Sequence, residues 1–83
     1  MAYNPLTIGD VKKVLECLDF TLNRITGRNG FLVYTHPNSF KELFIPNEPK
    51  VISHSWLIRI VRRLEDFSIS TEDMVRCGLL TED

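Results

Sequence analysis

Apolar residues Ile8, Val11, Val14, Leu15 and Leu18 recur at helical spacing and leave Lys12, Lys13, Glu16 and Asp19 on the opposite side. The pattern predicts a first helix over about residues 8 to 18. Thr7, three residues before Asp10, supplies a capping-box start, in which a side-chain oxygen takes up an otherwise orphan helix N–H. From Phe20 the period shortens. Phe20, Leu22 and Arg24 to Thr26 read as a first strand, Phe31 to Thr35 as a second, and Phe40 to Ile45 as a third, stopped by Pro46. Gly27-Arg28-Asn29-Gly30 contains an Asn-Gly pair, a strong hairpin signal because both residues tolerate positive φ. His36-Pro37-Asn38-Ser39 is a second turn, since Pro presets φ and Asn and Ser bond locally.

After a loop through Pro46-Asn47-Glu48-Pro49, Ser53 or Ser55 can cap a second helix over about residues 55 to 66, with Leu57, Ile60, Val61 and Leu64 inward. Ser70 with Asp73 opens a short last helix, Thr71 to Cys77, ended by Gly78. The order is α-β-β-β-α plus a short α. It implies an α+β sandwich: a three-stranded antiparallel sheet with helices on one face.

Eighty-three residues suffice for one modest core, so a single domain spanning residues 1–83 is expected. Composition is that of an ordinary folded chain, 43% hydrophobic and 25% charged. The start, Met1-Ala2-Tyr3-Asn4-Pro5, has neither the basic nor the apolar region of a signal peptide, and no apolar run approaches membrane-spanning length. Cys17 and Cys77 lack the spacing of a zinc or redox site and read as separate buried or half-buried thiols, which suits a reducing compartment. A cytoplasmic protein with no membrane partner is the expectation.

The net charge of −1 argues against a nucleic-acid partner until its distribution is considered. Residues 23–63 hold seven basic side chains (Arg24, Arg28, Lys41, Lys50, Arg59, Arg62 and Arg63) against Glu42 and Glu48, a local charge of +5. Residues 64–83 hold Arg76 against six acids, a local charge of −5. A basic middle beside an acidic end is the footprint of a phosphate-binding surface with a solvated tail, or of scattered surface charge. Arg59, Arg62 and Arg63 stand at i, i+3 and i+4 and so share one helix face, with Trp56 one turn earlier. Guanidinium groups suit bidentate phosphate contact and a nearby Trp can stack on a base; alternatively Trp56 packs on the sheet and the arginines pair with Glu65 and Asp66.

The local text joins the element order to a family. "VYTHPN", a third strand ending "IPN", "LIRIVRRLEDFSIS" and the closing "TEDMVRCGLL" together resemble the HicA (YcfA-like) mRNA interferase toxins over roughly residues 7 to 80. The best match is "YTHP", which resembles that family's Tyr-x-His-Pro. The resemblance implies a fold similar to the double-stranded RNA-binding domain, a toxin–antitoxin context, structured RNA or mRNA as partner, and a HicB-like antitoxin that covers the active surface. It implies no cofactor, and the acids form no recognisable metal pattern. The family's Gly-Ser-His falls on Asn29-Gly30-Phe31, so the position of the catalytic histidine is Phe31. Phenylalanine can neither take the proton of a ribose 2′-hydroxyl nor hand one to the leaving oxygen.

Three functional expectations follow. The first is an RNA-binding HicA-like domain, impaired or inactive as an endoribonuclease, contacting phosphate through Lys12, Lys13, Arg28, Arg59, Arg62 and Arg63. The second keeps the enzyme and gives cleavage to His54, which precedes the second helix where bound anions are favoured, or to His36. The third is an interaction module that meets an antitoxin-like partner through a sheet edge, the acidic tail and exposed aromatics near Tyr34 and Phe40.

Overall fold

The structure is a computed structural model and describes residues 2–3, 6–27, 30–47 and 51–81. Its elements run β1 (Ala2–Tyr3), α1 (Ile8–Cys17), β2 (Thr21–Thr26), β3 (Phe31–His36), β4 (Ser39–Pro46), α2 (His54–Asp66), α3 (Thr71–Arg76) and β5 (Leu80–Thr81). Strands β2, β3 and β4 form an antiparallel sheet in sequence order, so the chain is α+β as its periodicity predicts. A second, two-stranded sheet pairs β1 with β5, which no periodicity announces. Arg28 and Asn29, which follow Gly27 in the sequence, lie outside the described residues, as do Glu48 and Lys50.

Each helix begins and ends by the same device. Thr7, Ser53 and Ser70 accept from the amides of Asp10, Trp56 and Asp73, and Asp10 returns the bond to the Thr7 amide at 3.0 Å. At the other end the chain turns left-handed at Asp19, Ser68 and Gly78. There Phe20, Ile69 and Leu79 donate their amides to the carbonyls of Leu15, Leu64 and Met74, closing a Schellman motif each time. Those three acceptor residues are fully buried, so each helix stop also delivers an apolar residue to the core. Only Gly78 of the three left-handed residues avoids the steric cost of a Cβ there.

Strand alternation sends Leu32, Tyr34, Leu43 and Ile45 to one face, where they join Val11, Val14, Leu15, Leu57, Ile60 and Leu64 in a single core. Tyr34 is therefore interior, which corrects the expectation of an exposed aromatic there, and burial pushes its hydroxyl pKa up. Phe40 is fully exposed. The expectation of two separate thiols is corrected as well: Cys17 and Cys77 form a disulfide with Cα atoms 5.8 Å apart. It ties the end of α1 to the C-cap of α3, and Arg76 Nη1 lies 3.7 Å from the Cys17 sulfur. Among the described residues no helix is long and apolar enough to cross a membrane.

Candidate nucleic-acid interface

On the sheet face opposite the core, register sets Arg24 beside Val33 and Val33 beside Phe44, with Phe31 two residues along β3. Val33 is fully buried there. Arg24 reaches across the middle strand to Glu42 in a two-point contact, at 2.6 and 3.2 Å. That pairing holds the Glu42 carboxyl below its ordinary pKa, the Arg24 hydrogen bond being the main cause.

Strand β4 is an edge, so Phe44 lies within reach of the flank of α2. The inward stripe Leu57, Ile60, Val61 and Leu64 fixes the roll of α2 and turns Trp56, Arg59 and Arg63 toward that margin. Together Phe44, Trp56, Arg59, Arg62 and Arg63 line a cleft of about 340 Å³. Phe44 remains 46% exposed within it. Trp56 leans on the core with one part of its ring, meets Phe31 at a ring distance of 6.3 Å, and carries the Arg59 guanidinium 5.4 Å from its centroid.

The three arginines have different tasks. Arg63 donates to the backbone carbonyl of Glu42 at 2.9 Å, pairs with Asp66 at 3.2 Å and lies over Phe67. It closes part of the sheet edge and is a fixed wall. Arg59 is held by Trp56. Arg62 is exposed and its side chain, among the described residues, makes no hydrogen bond or ion pair, so its guanidinium donors are open to an anion. The packing alternative for this face holds for Trp56, which leans on the core, and for Arg63, which pairs with Asp66.

The other nominated residues are not gathered here. Lys12 is half-buried and Lys13 exposed on α1, and neither lines the cleft; Arg28 is outside the described residues. His54 is exposed as the first residue of α2. His36 is buried between Phe20 and Phe67. The Asn38 amide donates to its Nδ1 at 3.2 Å, which leaves the proton on Nε2, where it is donated to the Leu18 carbonyl at 3.2 Å. Both ring nitrogens are thus committed to joining the β3–β4 turn to the end of α1, and neither faces a substrate. Phe44 was not among the sequence candidates. Its signal was there, since it alternates with the core residues Leu43 and Ile45 and so must point away from the core. Compared with protein-family models, with curated proteins and with solved structures, the chain gives no match.

Proposed function

We propose that this chain is a HicA-like RNA-binding domain of the kind found in toxin–antitoxin systems, impaired or inactive as an endoribonuclease. The observation that supports the reading most is the cleft in which Trp56 stands with Arg59, Arg62, Arg63 and Phe44, with Phe31 against the Trp56 ring outside its lining. At the position where the resembling family carries its catalytic histidine, this chain has a ring that packs on Trp56 and offers no proton. The arginines beside it supply the charge that phosphate contact requires. The α-β-β-β-α order is in keeping with a fold similar to the double-stranded RNA-binding domain. Of the two histidines offered as substitutes, His36 has both nitrogens engaged in the interior, which leaves His54 as the residue on which an active enzyme would depend.

The test is an incubation of the purified protein with a labelled structured RNA, followed for cleavage and for retarded migration, with Phe31→His and His54→Ala versions beside it. Retardation without cleavage by the unmodified chain, lost progressively as salt rises, is the expected result. Cleavage that disappears in His54→Ala would replace this reading with an active nuclease. Absence of both binding and cleavage would favour a partner-binding module. That second reading rests on β2, where Leu22 and Ile25 are exposed on a sheet edge, the kind of edge a partner strand extends.

A further inference from the structure

The cleft between β4 and α2 has features that a duplex-binding surface does not need. A-form RNA offers proteins its phosphates and 2′-hydroxyls, while its bases are stacked inside and out of reach of aromatic side chains. Exposed arginines alone would serve such a contact. Here an open aromatic ring, Phe44, faces the same space as the guanidinium groups. Unpaired nucleotides present both an aromatic face and a phosphate, and unstacked bases settle on aromatic rings and on guanidinium planes.

We infer that this cleft holds an unpaired nucleotide of an RNA chain, with the base against Phe44 and the Trp56-supported Arg59 and the phosphate on Arg62. The inference rests on the RNA-binding reading and narrows it from RNA in general to an unpaired segment. The positive lining matches the charge of a phosphodiester, and about 340 Å³ is at the small end of ligand clefts, roughly 300–1,000 Å³. Arg63 is already bound to Glu42 and Asp66, so it shapes the wall and does not have to move. Phe31 backs Trp56 and keeps its ring from swinging away from the cleft. An acidic peptide shares the charge but lacks the flat ring that Phe44 would cover.

Trp56 is the chain's single tryptophan, so its fluorescence reports on this cleft alone. The full chain is titrated at low salt with an unpaired oligoadenylate, with a blunt-ended RNA duplex and with polyglutamate, and both RNAs are also run for retarded migration. The expected result is a saturable fluorescence change with oligoadenylate at concentrations where the duplex and polyglutamate give none. Phe44→Ala, which removes a half-exposed ring and leaves the core intact, should weaken oligoadenylate binding by at least roughly five-fold. Arg62→Ala should lower the slope of log affinity against log salt by about 0.7, the share of one phosphate contact to a single strand. An equal response to the duplex or to polyglutamate overturns the inference, as does an unchanged affinity in Phe44→Ala. Retardation of RNA with no fluorescence change overturns it while leaving the RNA-binding reading standing. No retardation of either RNA removes both.

Discussion

At the junction of α1 with α3, a disulfide joins Cys17 to Cys77 and Arg76 points at the Cys17 sulfur. At the margin of α2 with β4, the connections are polar: Arg63 on a strand carbonyl and Lys41 Nζ 3.5 Å from the Asp66 carbonyl, with Trp56 meeting Phe31 of the neighbouring β3. The first junction binds a short helix that could not hold itself, because six residues lie far below the length at which a helix is stable alone. The second belongs to a thirteen-residue helix with four buried apolar residues, whose place the core already secures. On its outer flank Arg63 braces the strand and Trp56 packs against the core, while the Arg62 side chain makes no hydrogen bond or ion pair among the described residues. The comparison teaches that the first border is fixed by a covalent bond, while the second mixes a bracing residue, Arg63, with an unengaged one, Arg62.

The disulfide should carry the largest effect. It closes a loop spanning 60 positions, and constraint of the unfolded chain over such a span is worth about 2–4 kcal/mol. In a domain of this size the double variant Cys17→Ser with Cys77→Ser should lose on the order of 10–30 °C in Tm. Reductant should do the same to the unmodified protein and nothing to the double variant. Thermal unfolding with and without reductant measures this, and a Tm indifferent to reductant would break the comparison at its covalent side.

Next come two neighbours on α2 that should behave differently. Arg63→Ala leaves the Glu42 carbonyl at the strand edge without its donor and should cost about 1 kcal/mol, read as a shift in the urea midpoint. Arg62→Ala removes no side-chain hydrogen bond or ion pair among the described residues and should stay within about 0.5 kcal/mol of the unmodified chain. RNA retardation should weaken in Arg62→Ala even so. Equal destabilisation by the two changes would mean that the flank of α2 is structural throughout.

Much of this arrangement was legible in the sequence where a period or a cap writes it. Thr7, Ser53 and Ser70 start helices that the apolar spacing fills, and the three strands follow from alternation and turn residues. What stayed hidden depends on contacts between distant positions. Two residues at Ala2–Tyr3 and two at Leu80–Thr81 have no period to detect, and two cysteines 60 positions apart give no sign that a fold will bring them together. With the disulfide formed, the thiol-based argument for a reducing compartment loses its premise. Asp19 and Ser68 turn left-handed without the glycine that marks the stop at Gly78. The cleft was half legible: the spacing of Arg59, Arg62 and Arg63 gave one wall, while Phe44 required knowing that β4 is the edge strand next to α2.

The smallest effect is a pH dependence carried by two carboxyls, one at the start of α1 and one on β4. The Thr7 amide and hydroxyl, chiefly the amide, hold Asp10 below its ordinary pKa at the start of α1, and Arg24 does the same for Glu42 on β4. A carboxyl with a lowered pKa in the folded state binds its proton more readily once unfolded. Its contribution is therefore complete above the ordinary carboxylate range and is lost as pH falls through the lowered folded value. Urea midpoints should decline between about pH 5 and about pH 2 for the unmodified chain. Asp10→Asn and Glu42→Gln should each flatten part of that decline, and together more than either alone, since they lie on separate elements and share no partner. Asp10 is exposed and Glu42 half-buried but open to solvent, so added salt should shrink the share of Glu42, which depends on a charge, more than that of Asp10, which depends on a backbone amide. An equal response to salt at the two sites would show that Asp10 owes its acidity to the Lys13 charge beside it and not to the helix cap.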